Sequence, residues 1–208
     1  MEELKILKEN KVYRVGDLFF RAGVRWEKDR ESILNEEKYK DTILFHYLTN
    51  KKREFDYEAF YQAVKIVSLQ KNYKKPLDDE LVIHLRLGDV MSNFDGRYFA
   101  MKNIYNDFYR KINIKNIKKA TIVTALHFGA NEVNNLFFYN KRDHQRSLDL
   151  LELIKTQTKQ IGLDLNIYSN EDIDADLSYM CYSKMFVPSL ATMMKIINPV
   201  RAKILKDV

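Results

Sequence analysis

The apolar residues of the chain recur with two different spacings. Between Tyr57 and Leu69 they return every three or four positions, which is the spacing of one face of a helix. From Leu81 to Leu87 they form a short compact run that ends at Gly88, a pattern typical of a buried strand. The two patterns predict a helix over 57–69 and a strand over 81–87.

The same alternation continues to the end of the chain. Further strands are predicted at 120–125, 163–168 and 185–187, and further helices at 98–112, 131–139, 146–160, 175–182 and from about 189 onward. Strands that alternate with helices of this length indicate βαβ units. We therefore expect an α/β fold with a mostly parallel sheet and flanking helices. Residues 78–208 would form a Rossmann-like lobe, and residues 1–77 a smaller α/β portion.

Composition narrows the class of protein. With 46% hydrophobic residues in 208, the chain can bury a substantial core. No run of about 18 apolar residues occurs and the N-terminus lacks the features of a secretory signal, so we expect no membrane segment. The single cysteine, Cys181, excludes an intrachain disulfide and suits a reducing compartment. The sequence thus predicts a soluble cytoplasmic protein.

The net charge of +6 raises the question of a nucleic-acid partner, because clustered lysines gain affinity by releasing phosphate counterions. The short basic runs at 51–53, 71–75 and 115–119 are separated from one another by stretches that contain acids, and they lie at predicted loops or helix ends. They are more typical of solvated surface than of a nucleic-acid interface. We expect no nucleic-acid partner, and a ligand that carries a diphosphate would suit the charge equally well.

Two polar side chains interrupt the strand predicted over 81–87. Side chains alternate across a strand, so His84 and Arg86 face one side and the apolar residues the other. A buried guanidinium needs an anionic partner, and ligands of parallel α/β sheets bind at the carboxyl edge, where Arg86 would lie. Gly88 permits a sharp turn there, and Asp89 can accept backbone N–H groups. An edge strand with Arg86 solvated or paired to a carboxylate would explain the same pattern.

The segment His84-Leu85-Arg86-Leu87-Gly88-Asp89 resembles the His-x-Arg-x-Gly motif of α1,2-, α1,6- and protein O-fucosyltransferases. The resemblance implies a reduced GT-B-like fold and a glycosyltransferase that needs no metal or other cofactor. It also implies a GDP-sugar donor, GDP-fucose first, and a glycan or other hydroxyl acceptor. The motif arginine of that superfamily contacts the β-phosphate of GDP-fucose, so the resemblance assigns this role to Arg86 and a donor contact to His84.

A second segment, 176–192, resembles the part of the same family in which an aspartate opens a helix, a strand follows, and hydroxyl residues begin the next helix. The resemblance implies that Asp176 contacts guanine and that Ser189 and Thr192 contact the phosphates. A helix N-terminus does offer free N–H groups to a phosphate. Ser189 as an ordinary N-cap, Asp176 as an ordinary helix-start acid, or metal binding by Asp174 and Asp176 are the alternatives.

A third segment, Val15-Gly16-Asp17-Leu18-Phe19-Phe20, resembles the glycine-containing loop that begins many such transferases. The resemblance places Gly16 near the donor and makes Asp17 a candidate general base for the acceptor hydroxyl. Asp17 as a turn residue that caps the next helix is the alternative. At the level of function, the alternative to an enzyme is a module that binds a nucleotide sugar without turnover.

Overall fold

The computed structural model describes residues 57–91, 96–124, 130–133, 136–139, 141–169, 173–190 and 194–207. The chain divides into two compact units. The sheet unit comprises Pro76–Glu171 and Ser183–Lys195, and the helical unit comprises the residues up to Lys75 together with Asp172–Tyr182 and Ile196–Val208. The chain therefore leaves the sheet unit after Glu171 and re-enters it at Ser183.

The described residues contain five α-helices, six strands and one 3₁₀ helix. In chain order they are α1 (Tyr57–Gln70), β1 (Glu80–His84), the 3₁₀ helix (Gly88–Met91), α2 (Arg97–Lys111), β2 (Lys119–Val123), β3 (Ala130–Val133), β4 (Leu136–Tyr139), α3 (Lys141–Gln160), β5 (Asp164–Tyr168), α4 (Ile173–Cys181), β6 (Met185–Val187) and α5 (Met194–Ile204). Most of the predicted elements are present, with ends that shift by a few residues.

Four of the strands form one parallel sheet in the order β5-β2-β1-β6. From β1 the chain moves outward to β2 and then to β5, and it later returns to the other side of β1 as β6. The order of the strands therefore reverses at β1. The α/β class with a parallel sheet and flanking helices is confirmed.

The main core of the sheet unit lies on the face of β1 that carries its odd-numbered residues. Leu81 and Ile83 belong to one buried cluster with Tyr105 of α2 and with Leu150 and Ile154 of α3. Every residue of β1 is buried, as expected of a parallel strand whose two faces are both covered. The short apolar run in the sequence therefore predicted a buried strand, and the order of the strands decides against the alternative of an edge strand.

The helix predicted over 131–139 is wrong, because the described residues of this range form two antiparallel strands, β3 and β4. Val133 pairs with Leu136 and Ala130 pairs with Tyr139. The run Leu-Phe-Phe-Tyr of β4 is rich in residues that favour strands. Two asparagines separate the two strands in sequence, and two-residue connections containing Asn are typical of hairpins.

Two predicted helix starts are also corrected. Helix α3 begins at Lys141 rather than at Arg146. The chain is not helical at Ser189, where the second helix was predicted to begin. This helix is described from Met194 onward, and residues 191–193 lie outside the described part. Ser189 consequently lies in the segment that follows β6, close to the carboxyl edge of the sheet.

The described residues of the helical unit are joined by polar contacts between its helices. The Oγ atoms of Ser68 in α1 and Ser178 in α4 lie 2.6 Å apart and are buried. The hydroxyl of Tyr61 in α1 donates to Asp207, which follows α5. None of the helices in the described part of the chain combines the length and the apolar character needed to cross a bilayer.

Candidate functional site

The carboxyl edge of the sheet, between β1 and β6, brings two predicted site residues together. His84 is the last residue of β1, and Ser189 follows β6 by two positions. Because Val187 pairs with Ile83, the two strands end side by side. The Oγ of Ser189 lies 2.7 Å from Nδ1 of His84, a hydrogen bond between residues that are 105 positions apart in the chain.

The imidazole of His84 is neutral at physiological pH. The residue is 6% exposed, and burial, with a smaller contribution from the positive charge of Arg86, lowers its pKa from 6.5 to about 3. A group with this pKa is a weak general base near pH 7. Its chemistry here is to hold the Ser189 hydroxyl, either as donor or as acceptor according to its tautomer. The positive charge of this pair of motif residues therefore belongs to Arg86.

The backbone at the end of β1 is fixed by helix α2. The hydroxyl of Tyr105 donates to the carbonyl oxygen of His84 at 2.6 Å, and the bond is buried. The next amide, that of Leu85, donates to the carbonyl of Val123 at 3.0 Å, so pairing with β2 extends one residue beyond the strand. Burial raises the pKa of Tyr105, which keeps its hydroxyl protonated and able to donate. Arg86 thus follows a firmly held segment.

Arg86 is half-buried and lies two residues before a sharp change of direction. Gly88 has φ +77°, a left-handed conformation that glycine adopts without strain. The 3₁₀ helix Gly88–Met91 begins there, and Asp89 belongs to it. The turn that the sequence predicted after the strand is therefore present at Gly88.

Sequence reasoning missed two residues of α3 that contact this turn. The amide of Gly88 donates to Oγ of Ser147 at 3.1 Å, and Nη1 of Arg146 donates to the carbonyl of Met91 at 2.7 Å. Both contacts are buried. The signal in the sequence was the polar spacing of Asp143, Arg146 and Ser147, which is one face of a helix, but the predicted helix began too late to show it.

The remaining predicted site residues belong to the other compact unit or lie outside the described residues. Asp176 is half-buried in the first turn of α4, in the helical unit, whereas His84, Arg86 and Ser189 belong to the sheet unit. Asp174 lies in the same turn and is buried. Gly16, Asp17 and Thr192 lie outside the described residues, so their predicted roles stay predictions.

The opposite, amino edge of the sheet is built from ion pairs. Asp78 pairs with Lys184 at 2.6 Å, Asp79 with Lys118 at 2.7 Å, and Glu80 with Lys119 at 3.1 Å. Two of these lysines come from the basic run at 115–119, whose charge is therefore partly neutralised within the fold. This arrangement favours the structural interpretation of that run over an interface for nucleic acid.

Glu80 is the buried member of the amino edge. It is fully buried, and besides Lys119 it accepts hydrogen bonds from Oγ1 of Thr121 at 2.5 Å and from the amide of Leu77 at 3.0 Å. A buried carboxylate is stable only when its oxygens are paired in this way. Glu80 therefore has a structural role at the start of β1.

Across the described ranges, no three or more His, Cys, Asp or Glu side chains gather as metal ligands would. Among the described residues at the carboxyl edge, an anion can contact the guanidinium of Arg86, which follows by two residues the histidine bound to the Ser189 hydroxyl. No protein-family model, curated protein or solved structure matches the chain. The resemblance to fucosyltransferases therefore rests on the motifs themselves.

Proposed function

We propose that the protein is a glycosyltransferase that binds the diphosphate of a GDP-sugar at the carboxyl edge of its parallel sheet, with Arg86 as the principal cationic contact. One observation carries the proposal: the strand order reverses at β1, and one residue of each motif segment lies there, His84 and Ser189, which a hydrogen bond joins. In open α/β sheets, ligands bind outside the carboxyl ends of the strands at such a reversal.

The proposed reaction is transfer of the sugar, fucose first, to a hydroxyl with inversion. The acceptor oxygen forms a bond to the anomeric carbon while the bond from that carbon to the β-phosphate oxygen breaks. The electron pair of the broken bond stays on the leaving GDP. A planar guanidinium can contact two phosphate oxygens at once and stabilise this growing charge. The proton of the acceptor passes to a general base, for which Asp17 is the motif-based candidate.

His84 acts in this proposal by orienting Ser189. A neutral imidazole adds no positive charge to the site, but its bond to Oγ fixes the direction of the Ser189 hydroxyl. A hydroxyl held in advance is spared the entropy of being ordered when the ligand arrives. The sheet unit would serve as the donor lobe of a reduced GT-B-like fold.

The test is a thermal-shift series with GDP, UDP, CMP and ADP on the wild-type chain and on Arg86→Ala. A ligand that binds only the folded state raises the melting temperature as its concentration increases. We expect a response to GDP that Arg86→Ala loses and that the exposed-surface control Arg110→Ala keeps. No response to any nucleotide, or an equal response in Arg86→Ala, would overturn the proposal.

Transfer and donor hydrolysis are then measured with GDP-fucose and other GDP-sugars. Release of GDP that depends on Arg86 identifies an enzyme. Tight binding of GDP without any release identifies the alternative, a module that binds a nucleotide sugar without turnover.

A further inference from the structure

Helix α3 carries a polar stripe on a face where a helix ordinarily buries apolar side chains. Asp143, Arg146 and Ser147 are all buried, and they are followed on the same face by Leu150 and Ile154. Buried polar groups are costly unless they are hydrogen-bonded. Ser147 and Arg146 form hydrogen bonds with the backbone at the two ends of the 3₁₀ helix that follows Arg86. These bonds explain why two of the buried positions of α3 are polar.

Ser147 contacts the amino end of the 3₁₀ helix, at Gly88. Its hydroxyl donates to the carbonyl of Asp143, one turn back in α3, at 2.7 Å. Because the hydroxyl proton is used in that bond, a lone pair of Oγ accepts the amide of Gly88 at 3.1 Å. The accepted amide belongs to the residue with φ +77°, at the point where the chain turns away from the sheet.

Arg146 contacts the carboxyl end of the 3₁₀ helix, at Met91. Its Nη1 donates to the carbonyl of Met91 at 2.7 Å, and its guanidinium carbon lies 5.0 Å from the centre of the Tyr98 ring, a cation–π distance. Arg146 is 9% exposed. The bond to Met91 and the bond from Gly88 both end on backbone atoms, so they determine the path of the chain between these two residues.

We propose that Ser147 and Arg146 are positioning residues for Arg86. Arg86 precedes Gly88 by two residues and follows the segment that Tyr105 and Val123 hold, so both sides of it are fixed by other elements. The role of this positioning in binding rests on the proposed function, because a guanidinium held in place before the ligand arrives loses less entropy on binding a diphosphate.

The first measurement uses the ligand-free chain, so that it does not depend on the proposed function. Amide exchange at Gly88 and ¹⁵N relaxation of the Nε–Hε group of Arg86 are compared in the wild type, Ser147→Ala and Ser147→Thr. The matched control is Thr158→Val, which removes a buried hydroxyl from the same helix and its 2.6 Å bond to Tyr109, at the end of α3 that is remote from Arg86. We expect faster exchange at Gly88 and a more mobile Arg86 in Ser147→Ala alone, with the hydroxyl of Ser147→Thr restoring the wild-type behaviour.

The second measurement is titration with GDP. We expect Ser147→Ala to bind GDP about tenfold more weakly than Thr158→Val, the effect of losing one buried hydrogen bond that supports the contact. Arg146→Lys keeps a donor for the Met91 carbonyl and should bind more tightly than Arg146→Met. These two variants replace Ser147→Ala in both measurements if that variant does not fold.

The outcomes separate the two proposals. If Arg86 in Ser147→Ala is as rigid as in Thr158→Val, the positioning role is overturned, whatever the affinity for GDP. If Arg86 becomes mobile but the wild type binds no GDP, the positioning role stands and the proposed function fails. If GDP binds and depends on Arg86, but Ser147→Ala and Thr158→Val bind it equally, the proposed function stands and Ser147 has no role in binding.

Discussion

The two edges of the parallel sheet are built from opposite chemistry. At the amino edge, three consecutive acids, Asp78 to Glu80, each pair with a lysine from a neighbouring segment. At the carboxyl edge, Arg86 follows by two residues a histidine that burial keeps neutral, and this histidine binds the hydroxyl of Ser189. Three of the four strands, β1, β2 and β6, thus begin among paired charges, whereas β1 ends in a neutral histidine that Arg86 follows by two residues.

This difference separates stability from function. Each pair at the amino edge contributes to holding strand starts together, and a change there should be felt mainly in the free energy of unfolding. The carboxyl edge positions its groups through backbone contacts, from Tyr105, Ser147 and Arg146. A change at Arg86 should therefore be felt in ligand binding and turnover, with the fold preserved.

The largest effect is expected at the amino edge, from Glu80→Ala. The carboxylate is fully buried and accepts bonds from Lys119, Thr121 and the amide of Leu77. Removing it leaves these donors unmatched, and breaking a buried pair costs about 3–5 kcal/mol. Chemical denaturation should show a loss of this size, while GDP affinity per folded molecule stays unchanged.

Glu80→Gln is the matched control, since it keeps the shape and one acceptor oxygen, while an N–H donor replaces the other oxygen and the charge is lost. Its loss of stability should be smaller than that of Glu80→Ala. A Glu80→Ala chain as stable as wild type would contradict the structural role given to this edge.

The next effect concerns Arg86. Arg86→Ala should lower turnover of a GDP-sugar by about 10²–10³-fold, as expected when a preorganised group that stabilises transition-state charge is lost. Arg86→Lys should recover part of it, because an ammonium keeps the charge but not the two-pronged geometry. The measurement is kcat/KM together with the free energy of unfolding. If Arg86→Ala lowered the free energy of unfolding as much as Glu80→Ala does, Arg86 would be a structural residue. The two edges would then not differ in the way described here.

A smaller effect is expected from acid. The pKa of His84 is about 3 in the folded chain and about 6.5 in an unfolded one, so the unfolded state binds more protons between these values. The stabilisation that the neutral His84 provides is therefore fully present above pH 6.5 and decreases as the pH falls toward 3. At pH 5 the free energy of unfolding is lower by about 2 kcal/mol because of His84, since each pH unit in this range changes it by about 1.4 kcal/mol.

His84→Asn isolates this contribution. The asparagine amide can contact Ser189 from nearly the same position as Nδ1 and does not titrate in this range. Between pH 7 and pH 5, the melting temperature of His84→Asn should fall less than that of the wild type. The difference between the two falls should be roughly 4–8 °C. Equal slopes in the two chains would show that His84 is exposed to solvent or charged in the fold.

The sequence predicted the sheet better than it predicted the site. The buried strand around Ile83 was recognisable from its compact apolar run, which is typical of a strand covered on both faces. Gly88 marked the turn because glycine adopts a left-handed conformation without strain. The hairpin of β3 and β4 was missed because apolar residues in a short run fit either spacing. The contacts from Ser147 to Gly88 and from His84 to Ser189 join positions 59 and 105 residues apart, and no local pattern encodes such pairs.

The smallest effect is expected from the exposed pair at the amino edge, Asp78 with Lys184. The two side chains are 80% and 44% exposed, so water and salt screen their attraction, and such pairs contribute less than about 1 kcal/mol. Lys119 is 26% exposed and its partner Glu80 is fully buried, which makes their attraction less screened. A double-mutant cycle on each pair, in low and in high salt, should give the larger coupling energy for Glu80 and Lys119 and the larger salt dependence for Asp78 and Lys184. The reverse order would mean that exposure does not govern these pairs and that the stability of the amino edge resides in its surface.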